Sequence, residues 1–264
     1  MKHIAIPSMS VRVRKPYTTA GFGDRVHSAT IAYAYGLAHG CSVMLHLTEP
    51  MFTGGAPGVD KLRSWQDIVA LFPGDSMWID PHRTNHLGAM ASEEWVRHLR
   101  LWGIDATCYY YGDTLGMHPY DVAFGVDVAP YLKDIPLLEP IDCPDLRLPS
   151  GKFATMQWDA GGQPHCAKRV TPEERHRITD RYIAEGYEMV TVGGEAHSEL
   201  LRTSPKHVGY AMAKADIHVG VDSGPTHLAH IYMPTDRIHV YTARAESHHV
   251  KRWMANGCVR NYHL

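Results

Sequence analysis

Four short segments of this chain carry residues that could act together. The strongest is Val219-Gly220-Val221-Asp222-Ser223-Gly224-Pro225-Thr226-His227-Leu228-Ala229. An apolar run ends at Asp222, Ser223 and Gly224 form a tight turn, and Pro225 opens a helix. Proline suits that first turn because its φ is preset and its missing N–H would find no intrahelical partner there. The free amides of such a turn converge on one point and favour an anion. Ser223 and Thr226 can add hydroxyl donors and His227 a charge, which together suit a diphosphate. The same pattern also fits a plain helix cap made by Asp222 and Ser223.

The other three segments lie upstream. Gly21-Phe22-Gly23-Asp24-Arg25-Val26-His27-Ser28 stands between an expected strand and an expected helix. Its glycines permit close backbone approach to a ligand, and Asp24 would face the crevice beyond the strand ends or cap the helix. The third glycine of a dinucleotide fingerprint is missing, which argues against a nicotinamide-dependent oxidoreductase. Gly161-Gly162-Gln163-Pro164-His165-Cys166-Ala167-Lys168-Arg169 could bring Lys168 and Arg169 over phosphates, or be an ordinary basic surface loop. Val192-Gly193-Gly194-Glu195-Ala196-His197 places Glu195 just past a strand end, where a carboxylate can accept from ribose hydroxyls or simply stay solvated.

The elements needed to position these segments can be read from periodicity and punctuation. Strands are expected at 3–7, 41–47, 120–128, 153–158, 188–192, 217–221 and 237–241. Helices are expected at 25–39, 61–72, 93–102, 171–185, 198–202, 207–214, 225–232 and 246–256. Thr171-Pro172-Glu173-Glu174 has the form of a capping box, and Gly40 and Gly186 read as helix stops. Alternating strand and helix argue for parallel sheets. The stretch 132–150 contains Pro136, Pro140, Pro144 and Pro149, as a domain linker would. The expected fold class is therefore α/β, with two Rossmann-like doubly wound domains facing across a cleft. Their expected bounds are 1–145 and 146–245, followed by a C-terminal helical segment, 246–264.

Composition excludes several classes. The 264 residues are 44% hydrophobic and 20% charged, with 26 Lys plus Arg against 28 Asp plus Glu. That is a globular balance, with no global sign of a nucleic-acid or membrane-surface binder. Five cysteines, none closer than Cys143 and Cys166, form no CxxC pair, so they read as reduced thiols in a cytoplasmic protein. The 19 histidines show no ligand spacing with cysteines, so no metal site is expected. No apolar stretch reaches the length of a membrane span, and the N-terminus lacks the form of a signal peptide. Two local basic clusters stand out: Arg12, Arg14, Lys15 and Arg25 around the first loop, and Arg237, Arg244, Lys251, Arg252 and Arg260 near the end. Each is either a solvated face or part of a surface for a polyanionic acceptor.

In this order the four segments resemble the heptosyltransferase-type glycosyltransferases of lipopolysaccharide-core synthesis, a GT-B family. Gly23-Asp24 matches the family's N-terminal turn, and Lys168 ahead of Thr171-Pro172 its central lysine. Gly193-Gly194-Glu195 matches its glycine-acid strand end. Asp222-Ser223-Gly224-Pro225-Thr226-His227-Leu228 matches its D-[ST]-G-x-x-H-[LI] signature. The resemblance is clear over about 150–232 and patchy before it, and this chain is shorter than typical members.

The resemblance implies a metal-independent, inverting glycosyltransferase that uses a nucleoside-diphosphate sugar and needs no cofactor. Asp24 would be the catalytic base. Lys168 would neutralise the leaving diphosphate, with Arg169, Gly23, Gly193, Gly194 and residues 222–227 around the donor and Glu195 on its ribose. A glycan or lipid-linked saccharide is the expected acceptor, met by Arg12, Arg14, Lys15 and Arg25. DNA, as in phage enzymes that glycosylate hydroxylated bases, is the alternative, and a non-catalytic nucleotide-binding module the second alternative.

Overall fold

The computed structural model of this protein describes residues 3–7, 22–46, 61–79, 135–158, 170–193, 205–221 and 223–241. The chain divides into two compact units, Met1–Ile135 and Pro136–Leu264. The helices expected at 93–102, 198–202 and 246–256 and the strand expected at 120–128 lie outside the described residues.

In the first unit β1 (His3–Pro7), β2 (Ser42–His46) and β3 (Met77–Ile79) form a parallel sheet in the order β1-β2-β3. Helix α1 (Phe22–His39) links the first pair, and α2 (Lys61–Val69) precedes β3. Val26, Ala29, Tyr33 and Ala34 give α1 a buried stripe, because residues three and four apart share a helix face. Trp65 and Ile68 do the same for α2, and Tyr33 meets Phe72 at 5.2 Å between ring centroids. Gly36 lets α1 pack closely: a Cβ there would lie 2.7 Å from the Cys41 carbonyl oxygen. Gly40 ends the helix with φ +60°, a conformation that glycine adopts without the Cβ penalty.

Helix α1 starts three residues earlier than expected, at Phe22, so Gly23 and Asp24 belong to its first turn rather than to a loop before it. Strand β3 was absent from the sequence reading, since three residues are too few to show a two-residue period.

The second unit has β4 (Phe153–Gln157), α3 (Pro172–Ala184), β5 (Glu188–Thr191), α4 (Pro205–Lys214), β6 (Ile217–Gly220), α5 (Gly224–Ala229) and β7 (Ile238–Val240). All strands are parallel, in the order β5-β4-β6-β7. Thr171 caps α3, its hydroxyl accepting from the Glu174 amide at 3.3 Å. Gly186, at φ +88°, follows the helix end.

The proline-rich stretch is described from Ile135 onward and packs on this unit. The Leu138 amide donates to the Ile231 carbonyl at 2.9 Å, and Cys143 is buried.

The two faces of this sheet differ. On one, Ala154, Ile217 and Val219 pack with Ile178 and Tyr182 of α3, and with Trp158, Val170 and Tyr241, as an apolar core. The other face carries Thr155 beside His218 and Gln157 beside Gly220, each pair in register across β4 and β6. Thr155, Gln157 and His218 are all buried. A parallel strand buried on both faces is expected to be apolar throughout, so these polar residues require partners.

Among the described residues no helix is long and apolar enough to cross a membrane. No three of His, Cys, Asp and Glu among them come together as metal ligands.

Candidate functional site

The topology of the second unit selects a place. From β4 the chain moves out to β5, then crosses back over β4 to β6 and on to β7. The strand order therefore reverses between β4 and β6. A reversal of this kind is the place where open α/β sheets generally bind ligands. Gln157 and Gly220, the last residues of the two strands, mark that point.

The turn after β6 is built on Gln157. Ser223 stands at the N-cap position of α5, but its side chain makes no cap hydrogen bond. Its hydroxyl instead donates to Gln157 Oε1 across the switch point. The backbone carbonyl of Ser223 accepts from the His227 amide at 3.1 Å, which closes the first turn of α5. Ser223, Thr226 and His227 are 6%, 1% and 5% exposed, so the turn is ordered by burial as well as by hydrogen bonds.

Thr226 is committed inward. Its Oγ1 donates to the Val221 carbonyl at 2.6 Å and lies 3.1 Å from His218 Nε2. His218 Nδ1 lies 3.1 Å from Thr155 Oγ1. Burial first, and the neighbouring His239 second, lower the His218 pKa to about 3, so the ring is neutral. Since the Thr226 proton goes to Val221, Thr226 must accept from His218, and Nε2 carries the ring proton. Nδ1 then accepts from Thr155. A directed chain runs Thr155 to His218 to Thr226 to the Val221 carbonyl, immediately before Asp222.

Two glycines make room. Gly193, with φ +89°, follows β5, and a Cβ on it would lie 2.8 Å from Pro225 Cγ and 2.9 Å from Gln157 Cγ. A Cβ on Gly220 would lie 2.6 Å from the Gln157 carbonyl oxygen and 3.2 Å from His218 Nε2. The ends of β4, β5 and β6 thus meet around Gln157, where side chains on those glycines would keep them apart. On the opposite face Arg175 of α3 donates to the carbonyls of Trp158 at 3.2 Å and Val170 at 3.0 Å. It holds together the two ends of segment 159–169, which contains Lys168 and Arg169.

Of the residues singled out from sequence, Gly193, Ser223, Gly224, Pro225, Thr226 and His227 belong to the second unit's described residues, and a Cβ on Gly193 would collide with Pro225. Gly23 and Asp24 lie in the first turn of α1 in the other unit, and Arg25 follows them. Asp222, Lys168, Arg169, Gly194, Glu195, Arg12, Arg14 and Lys15 lie outside the described residues. The structure corrects one assignment of means: the Thr226 hydroxyl serves the turn's own backbone. It also adds Gln157, His218 and Thr155, which the sequence reading passed over. Their signal was polar side chains in runs otherwise fit for a fully buried strand.

No family model matches this sequence, and no curated protein matches it. Solved structures do match in fold. The iron-containing dodecameric glycosyltransferase TibC of enterotoxigenic E. coli superposes with TM-score 0.52 at 14% identity, over 90% of this chain and 57% of TibC. TibC in complex with ADP-D-β-D-heptose gives TM-score 0.50 at 13% identity, with the same coverage. This chain thus spans little more than half the length of TibC. The family 9 glycosyl transferase of Veillonella parvula gives TM-score 0.53 at 13% identity, over 97% of this chain and 91% of that one. With two parallel α/β units in one polypeptide, this chain has the α/β, Rossmann-like fold of the GT-B glycosyltransferases.

Proposed function

We propose that this protein is a glycosyltransferase that moves a sugar from a nucleoside-diphosphate sugar to an acceptor hydroxyl. The observation that carries the reading is the Gln157–Ser223 junction at the switch point between β4 and β6, on a glycosyltransferase fold. In this reading the donor diphosphate lies against the turn 222–227, with Gly193, Gly194 and Arg169 around it. Lys168 offsets the charge that builds on the leaving diphosphate. Glu195 accepts from the ribose hydroxyls.

Asp24, with Gly23 beside it in the first turn of α1, is the base. It takes the proton from the acceptor hydroxyl as that oxygen forms its bond to the anomeric carbon. The bond from that carbon to the diphosphate breaks on the opposite side, so the configuration inverts. The diphosphate leaves with the bonding electron pair, and positive side chains rather than a metal carry the charge. The acceptor is a glycan or lipid-linked saccharide met by Arg12, Arg14, Lys15 and Arg25, and the reaction takes place in the cytoplasm.

A thermal-shift panel of ADP, UDP, GDP, CMP and their sugar conjugates tests the donor site. ADP comes first, because TibC was solved with an ADP-heptose. Ligand at about 100 times its dissociation constant should stabilise the fold by about 2.7 kcal/mol, a rise of a few degrees for a chain of this size. A rise for one nucleoside diphosphate identifies the donor class. A flat panel removes the donor-site reading.

A further inference from the structure

We propose that His218 is a positioning residue for the diphosphate: through Thr226 it sets the turn that carries Ser223, without touching the ligand itself. The proposal rests on the donor-site reading above. His218 is fully buried in β6, between Ile217 and Val219, whose side chains face the apolar core on the other side of the sheet. An aliphatic residue would suit packing there. The imidazole instead spends both ring nitrogens on hydroxyls, at 3.1 Å each, and these lie on different elements.

One is Thr155, its register partner on the central strand; the other is Thr226 in the first turn of α5. Thr226 in turn holds the Val221 carbonyl at 2.6 Å and lies 3.4 Å from Ser223 Oγ. Only a neutral ring protonated at Nε2 satisfies this chain, and burial keeps it neutral. Gly220 leaves the space that the imidazole and the turn share, since its Cβ would stand 3.2 Å from Nε2. The polar layer joins the middle of the sheet to the backbone on either side of Asp222. The crevice end of the turn is thereby referenced to the sheet rather than to its own short helix. Such support holds binding groups in place at low entropic cost when ligand arrives.

The test uses the full-length chain and inorganic pyrophosphate as the probe, with calorimetry well below the melting temperature. The variant is Thr155→Val/His218→Leu, which removes both partners of one buried hydrogen bond and so leaves little unsatisfied. Its melting temperature should stay within a few degrees of the parent, while the pyrophosphate dissociation constant rises about tenfold, one hydrogen bond's worth of positioning. His218→Gln, which keeps an N–H for Thr226, should restore affinity to within about twofold.

Unchanged affinity in the double variant overturns the proposal while leaving the donor site standing. Should the double variant fail to fold, Thr226→Val and Thr226→Ser decide instead. Loss of affinity with Val and retention with Ser support the chain, and equal affinity overturns it. If the parent protein binds neither pyrophosphate nor any nucleotide of the panel, the donor-site reading itself has failed, and the proposal falls with it.

Discussion

The two units are built from the same parts and treat buried polar groups differently. In the first, the buried hydroxyls of Thr30 and Ser42 donate to backbone carbonyls. Thr30 donates to Val26 one turn back in its own helix at 2.8 Å, and Ser42 donates to Asp75 in the turn before β3 at 2.7 Å. In the second, Thr155, Gln157, His218, Ser223 and Thr226 form bonds that run between strands and across the sheet end. The described part of the first sheet grows to one side, β1-β2-β3, whereas the second reverses between β4 and β6. Where the order reverses, the strand ends are not covered by a single connection. Buried polar side chains collect there, each bonded to a partner on another strand or on the turn after β6.

In the proposed mechanism the base, Asp24, belongs to the first unit and the donor turn to the second. Asp24→Asn should lower turnover by about 10²–10⁴-fold, the usual contribution of a general base, with nucleotide affinity nearly unchanged. Steady-state rates and thermal-shift titrations check this together, and unchanged turnover would sink the assignment.

Paired glycine substitutions come next. Gly36→Ala in the first unit and Gly220→Ala in the second each place a Cβ within 2.7 Å of a carbonyl oxygen. Each should cost about 1–3 kcal/mol, as overpacking does. Only Gly220→Ala should also weaken nucleotide binding, because it presses on His218. Loss of binding in both variants would mean that the supporting layer is not confined to the second unit.

Acid should expose the same asymmetry. His218 and His230 both lie in the second unit. Burial, helped by His239 and His227 respectively, lowers their pKa values to about 3 and about 4. Below the ordinary value of about 6.5 the unfolded chain binds protons that the folded chain refuses, so stability falls with pH down to about 4. The slope is at most about 1.4 kcal/mol per pH unit for each histidine. Melting temperature measured from pH 7.5 to pH 4.5 should drop, and less steeply in Thr155→Val/His218→Leu. Parallel profiles would show that His218 titrates normally.

The smallest contrast compares two threonines. Thr30→Val removes one local helix contact and should change stability by less than about 0.5 kcal/mol. Thr155→Val deprives His218 Nδ1 of its donor and should cost about 1–3 kcal/mol. Equal effects, read from denaturant midpoints, would erase the distinction between local and supporting hydroxyls.

Much of this was legible in the residues themselves. Thr171-Pro172 and Gly186 bounded α3 closely, because caps depend on the chemistry of single residues and their immediate neighbours. The α/β alternation followed from apolar runs punctuated by glycine and proline, and the turn Ser223-Gly224-Pro225 stood out for its backbone requirements. What the sequence determined by itself was therefore local: the strands β1, β2, β4, β5, β6 and β7 and the capped ends of α3, but neither β3 nor the start of α1.

The strand order, and with it the switch point between β4 and β6, was decided only by tertiary structure. Sequence distance does not say that Gln157 lies beside Gly220 or Thr155 beside His218. Only the register of β4 on β6 places Gln157, Thr155 and His218 on one face. Thr226 read as a ligand donor until Val221 and His218 were seen to claim its hydroxyl. The physical reason is the range of the forces. Propensity and capping act over a few residues and are written along the chain. The satisfaction of buried polar groups depends on which distant segments the folded core brings within about 3 Å of each other.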